Sequence, residues 1–200
     1  MVNKELTLDT EEKILQAATK VFERDGYAGA RMQVIADEAG MNKALLHYYF
    51  RSKEKLFSKI FLEKYNKFFS TLSILADQEM DFFEKIDKVI DSYMEMLIQN
   101  PEMPSMLINT ITHHPELIQK LNTEGAQKMR SVLQFESEKG NIIAVESLQI
   151  LTSVVGLCIM PFLAKPIAMH VFKLDMDFYQ QVLLNRGPFV KKAVRAILKP

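Results

Sequence analysis

One cysteine, Cys158, is all the thiol chemistry this 200-residue chain carries, so no internal disulfide can form. That suits a reducing compartment, and because Cys158 sits in an apolar run it is expected to be a buried structural thiol. Net charge is missing too. Lys+Arg and Asp+Glu each total 25, so the global balance points to no partner of either sign and any case for one has to be local. Glycine numbers only 7, and no segment shows the period-two alternation of a strand. Internal repeats and low-complexity tracts are absent. The opening MVNKELTLDTEEK has no apolar core, so a secretion signal is not expected and the chain is expected to be cytoplasmic. The longest charge-free stretch, residues 147–164, is broken by Gln149, Thr152, Ser153, Gly156 and Pro161. A bilayer span needs about 20 mostly apolar residues, so the stretch predicts a buried helix and no membrane partner.

An apolar fraction of 48% and a charged fraction of 25% describe a chain that folds, and 200 residues leave room for one large core or two. Helical stripes recur along its whole length, which predicts an all-α protein. Asp9, followed by Glu12, has the pattern of a capping box, and Ile14, Ala17, Ala18, Val21 and Phe22 then fall on one face. A first helix is therefore expected over about 10–25, closed by Gly26. Met32, Ile35, Ala36 and Ala39 give a short second helix that stops at Gly40. Asn42 caps a third over 43–49, burying Leu46, Tyr49 and Phe50, and Ser52 caps a long fourth. Later helices are expected near 81–99, 104–113, 115–138, 144–163 and 175–198, with breaks at Pro101, Pro104, Pro115, Gly140 and Pro166.

Local charge now becomes informative. Between Lys43 and Lys59 the chain carries five cations and one anion, whereas residues 1–42 carry five against eight. Two short helices joined by Ala39-Gly40-Met41-Asn42 have the form of a helix-turn-helix. A seven-residue helix is about 10 Å long and fits a major groove about 12 Å wide. Lys43 and Lys53 stand in the first turns of their helices, where a cation opposes the helix dipole by a few tenths of a kcal/mol and a phosphate would reverse the sign. His47 and Tyr48 lie between them as further donors. The residues alone suit a plain αα-turn with a solvated basic face as readily as a DNA reader.

The run IADEAGMNKALLHYYFRSKEKLF (35–57), preceded by ILQAATKVFERDGYAGA, closely resembles the DNA-binding domain of the tetracycline-repressor (TetR) family. The resemblance covers roughly residues 10–60. It implies that Lys43, Ala44 and Leu45 approach bases, and that His47, Tyr48, Tyr49 and Lys53 approach phosphates. Arg31 and Gln33 occupy phosphate-contacting positions, and Asn42 joins the DNA-facing set. The chain departs from the family pattern at Ala30, where a Thr or Ser usually caps the second helix, and at His47, where Tyr is frequent. Protonation of His47 would add charge, so operator binding is expected to be tighter at pH 6 than at pH 8.

The resemblance further implies an N-terminal three-helix helix-turn-helix domain (1–52) followed by a larger helical domain (53–200) that dimerises and binds an effector. Ile150, Leu151, Val154, Val155, Leu157, Cys158, Ile159 and Phe162 make one helix apolar almost all round, as expected if it packs both in its own core and against a partner. Met94, Met96, Met103, Met106, Met129, Met160, Met169 and Met176 are candidates to line an adaptable apolar pocket. His113, His114 and Glu116 lack a carboxylate cluster and are read as solvent-facing rather than as metal ligands. No phosphate loop, zinc spacing or nucleophilic triad appears, so neither an enzyme nor a cofactor is expected. The expectation is a homodimeric regulator on a double-stranded DNA operator, most simply a repressor, released by an apolar small-molecule effector. An all-α ligand-binding or assembly module without DNA binding is the alternative.

Overall fold

The computed structural model describes residues 2–76 and 79–200, and every regular element among the described residues is helical. The contacts group the chain into two units. One holds residues up to Lys64 together with Met106–Lys120; the other holds Tyr65–Ser105 and Leu121–Pro200.

The first unit is built on α1 (Val2–Gly29), α2 (Met32–Glu38), α3 (Lys43–Tyr49) and the start of α4 (Lys53–Thr71). Most of α6 (Met103–His113) and a 3-10 turn over Pro115–Lys120 join it. Ile14, Ala17, Ala18, Val21 and Phe22 are buried as their spacing predicts, along with Ile35, Ala36, Leu46, Leu56 and Phe57. Phe22 and Phe57 meet edge to face, with centroids 5.7 Å apart.

Two details of this unit correct the sequence reading. α1 begins well before Thr10, so Asp9 is inside the helix and does not cap it; its carboxylate instead accepts from Lys13 one turn on, at 2.8 Å. At the other end Gly26, with φ 67 and ψ 172, breaks the helix as expected before a short turn over residues 27–29. The N-cap of α2 is Arg31 (φ −123, ψ 140), with no side-chain cap, while Ala30 is a buried residue at 2% exposure. Ala30 thus stands one residue ahead of the cap and serves the core.

The second unit packs α5 (Phe82–Gln99), α7 (Glu124–Glu138), α8 (Ser147–Leu163), α9 (Lys165–His170), α10 (Met176–Leu184) and α11 (Arg186–Leu198) with the end of α4 and a 3-10 turn over Leu72–Ala76. Asp81 caps α5 by accepting from the Phe83 and Glu84 amides at 2.8 and 3.3 Å. α11 lies along α5, joined by ion pairs of Arg195 with Asp87 at 2.6 Å and of Lys191 with Asp91.

Several boundaries differ from the expectation. The single helix predicted over 115–138 is a 3-10 turn followed by α7, because Asn122 turns the chain: its side chain accepts from the Glu124 amide at 3.0 Å while its own amide donates to Asn66 Oδ1 at 2.8 Å. The one predicted over 175–198 divides at Asn185 into α10 and α11. Pro166 opens α9, and Pro104 stands second in α6; in a first turn the missing N–H has no partner to lose. Pro161, by contrast, lies inside α8. On α8 only Ile150 and Cys158 are buried, while Leu148 and Met160 are exposed at 69% and 54%.

Candidate nucleic-acid interface

The turn between α2 and α3 is fixed by backbone chemistry. Gly40 takes φ +67, and a Cβ there would meet nothing within 4 Å, so conformation and not crowding calls for glycine. The Gly40 amide donates to the Asp37 carbonyl at 3.1 Å and the Met41 amide to that of Ala36 at 3.0 Å, the paired bonds of a Schellman cap. Asn42 Oδ1 then accepts from the Leu45 amide at 2.8 Å and starts α3.

α3 has two faces. Leu46 (0% exposed) and Phe50 (8%), just past its end, anchor it in the core. Lys43, Ala44, Leu45, His47 and Tyr48 face solvent, Tyr48 at 79% exposure, and Tyr49 is half-buried. The rings of Tyr48 and Tyr49 meet edge to face at 5.5 Å, which stiffens the outer end of the helix. His47 places Nδ1 at 3.3 Å from the Arg51 carbonyl, which can only accept, so Nδ1 is the donor of that pair. Arg31 is exposed ahead of α2, and Gln33 donates to Asp37 at 2.8 Å within it. Arg51 and Lys55, exposed on the same stretch, were passed over in the sequence-based site and extend its positive charge.

Lys53 is placed differently from the others. Its ammonium donates to the Tyr27 carbonyl at 2.7 Å and the Ala30 carbonyl at 3.1 Å and stands 4.4 Å from the centroid of the Tyr27 ring. The electrostatic cost expected of a cation at a helix N-terminus is therefore offset within the fold, by carbonyls left open where α1 ends. Two of its three donors thus reach carbonyls. The Tyr27 hydroxyl lies 3.4 Å from Glu54 Oε1; burial first, then that carboxylate, raises its pKa. Glu54 is held below the ordinary carboxylate range, first by a backbone amide and then by the Ser52 hydroxyl.

His114 does not simply face solvent as expected. It is half-buried in the first unit, its ring edge-on to Tyr27 at 6.4 Å and its Nδ1 at 3.6 Å from Glu116.

The second unit holds an apolar cavity of about 100 Å³ between the end of α4, α5, α7, α8 and α11. Phe68, Phe69, Ile90, Leu133, Val155 and Leu198 contribute to its wall. Of the eight methionines expected there only Met129 lines it; Met94, Met103 and Met106 are core residues and Met160 and Met176 are exposed.

Residues 14–60 match the family model described as bacterial regulatory proteins, tetR family. The chain is similar to the transcriptional repressor NicS of Pseudomonas putida, 29% identical over 66% of this chain and 65% of that protein. It is also similar to a transcriptional repressor of Streptomyces coelicolor, 30% identical over 65% of this chain and 57% of the relative. The chain thus spans less than two thirds of the length of these two relatives. In fold it resembles the crystal structure of HlyIIR, a hemolysin II transcriptional regulator, with a TM-score of 0.72 and 22% identity over 96% of this chain and 98% of that one. The named relatives are regulators of transcription.

Proposed function

We propose that the chain is a homodimeric repressor of the TetR family of bacterial regulatory proteins, whose α3 reads a near-palindromic operator and which a small apolar effector releases. The observation that carries this is the outward face of α3. Lys43, Ala44 and Leu45 stand free at its start while Leu46 and Phe50 hold it in register. A short helix with a buried anchor and an exposed, cationic N-terminal face is suited to base edges, and His47, Tyr48, Tyr49, Arg31 and the third donor of Lys53 to the flanking phosphates.

In this reading residues 1–52 form the reader and residues 53–200 carry dimerisation and the effector site. Dimerisation is supported by apolar side chains left exposed on α8, α10 and α11, among them Phe178 (53%), Leu184 (57%) and Phe189 (56%). A second copy laying the same face against them would cover all three helices at once. The effector would enter the apolar cavity. At about 100 Å³ the cavity is smaller than the roughly 300 Å³ at which drug-sized ligand sites begin, so a ligand must push its wall apart. Phe68 and Phe69 in that wall belong to α4, the helix that starts directly after the reader. Displacing them is a route from effector to DNA affinity, limited by the effector's preference for one state over the other.

The test is operator selection from a random duplex library, followed by titration over a range of salt. The proposal expects a two-fold symmetric site and an affinity falling steeply with salt. Selection of no sequence, with the chain intact and folded, would favour the assembly-module reading.

A further inference from the structure

Tyr27 is the hub of an aromatic and ionic cluster beside the reader. Phe57 packs edge-on to it at 4.6 Å and Phe22 stacks at 6.1 Å, both from helices of the N-terminal segment. The fourth ring is His114, which arrives from a segment far along the chain, immediately after α6. Its backbone is pinned by donation from its amide to the Thr110 carbonyl at 2.9 Å, and Glu116 lies 3.6 Å from its Nδ1. Tyr27 in turn carries Lys53 twice over, through its carbonyl at 2.7 Å and through its ring face at 4.4 Å.

We propose that His114 is a positioning residue for DNA binding: by packing against the Tyr27 ring it sets where the Lys53 ammonium stands and so whether its remaining donor reaches a phosphate. The inference rests on the operator-reading function proposed above. Lys53 is a flexible four-carbon stem, and what orients it is not its own helix but Tyr27 and the end of α1. A ring free to tilt would carry the π-face contact at 4.4 Å with it and loosen the ammonium that it helps to seat. An edge-to-face partner removes that freedom, and His114 is the member of the set supplied by the 106–120 segment. His114 itself needs no contact with DNA.

The experiment is a double-mutant cycle on the full chain, reading operator affinity against salt for wild type, His114→Ala, Lys53→Gln and the double variant. Glutamine keeps amide donors for the Tyr27 and Ala30 carbonyls while removing the charge. His114→Ala should weaken binding about three- to tenfold and flatten the salt slope towards that of Lys53→Gln, where one lost phosphate contact is worth about 0.9 per subunit. In the Lys53→Gln background it should add little. An unchanged slope, or the same fold-loss in both backgrounds, overturns the proposal. If His114→Ala does not fold, His114→Phe and His114→Leu replace it: Phe should keep wild-type slope and Leu should not, and equal behaviour of the two overturns the proposal as well. A wild-type protein with no salt-dependent DNA binding would instead overturn the operator-reading function, a different outcome from either.

Discussion

The Arg186 guanidinium donates from Nε to the carbonyl of Leu157 at 2.9 Å. Leu157 is four residues before Pro161, so its carbonyl is the one that the proline, lacking an N–H, leaves open inside α8. An arginine from the start of α11 thus supplies the bond that the helix cannot make for itself, which explains how a proline is tolerated there. Arg186→Ala should leave the half-buried carbonyl unsatisfied and cost about 1–3 kcal/mol. In a chain of 200 residues that is a drop in melting temperature of about 2–4 °C per kcal/mol. The same substitution on a Pro161→Ala background, where an N–H returns, should cost clearly less; equal losses would refute the account.

α7 approaches the end of α4 at Gly125, where a Cβ would stand 2.7 Å from the Phe69 carbonyl oxygen and 2.8 Å from Leu72 Cβ. Both are close to or part of backbone and cannot simply swing away. Gly125→Ala should therefore destabilise by about 1–3 kcal/mol despite the better helix propensity of alanine. A more stable alanine variant in chemical denaturation would show that the two helices separate freely.

Cys158 is buried, and burial pushes its thiol up to about 12, only partly countered by the charge of Arg186. At pH 8 it should react with a disulfide reagent far more slowly than an ordinary thiol, and at full speed once the chain is unfolded. Because the folded value lies above the unfolded one, the thiol's contribution to stability is complete below about pH 9 and is lost as pH rises towards 12. Cys158→Ala should flatten that alkaline limb. Rapid modification of the native protein at pH 8 would contradict the burial.

The exposed aromatic side chains of α10 and α11 give a direct test of assembly. Phe178→Glu with Phe189→Glu should convert a dimer to a monomer in sedimentation while leaving the helical content of each chain unchanged. A dimer that survives both charges would have to use a different face.

Much of this was legible in the chain because the signals were local. Asn42, Gly40 and the spacing of Leu46 and Phe50 delimit α3 to the residue, and which of its side chains point outward follows from periodicity alone. What escaped depends on residues distant in sequence. Asp9 carries a capping signature yet pairs with Lys13 inside a longer helix. The break before α7 is enforced by Asn66 holding the Asn122 amide, whereas the break at Asn185 has its signal in the Gly187-Pro188 pair just after it, which the helical spacing over 175–198 outweighed. Lys53 read as a surface cation because its acceptors, Tyr27 and Ala30, are brought to it only by folding. The methionines misled for a similar reason: composition shows flexible side chains, and only packing decides which of them line a cavity.

The most direct test of the central claim is to compare Lys43→Ala and Leu45→Ala with wild type across a panel of operator variants at fixed salt. Lys43 and Leu45 stand exposed at the start of α3, so both substitutions should leave the melting temperature within about 1–2 °C and change operator binding, with Leu45→Ala altering the ranking of base substitutions at specific positions. Unchanged affinity and unchanged ranking for both variants would contradict α3 as the reader.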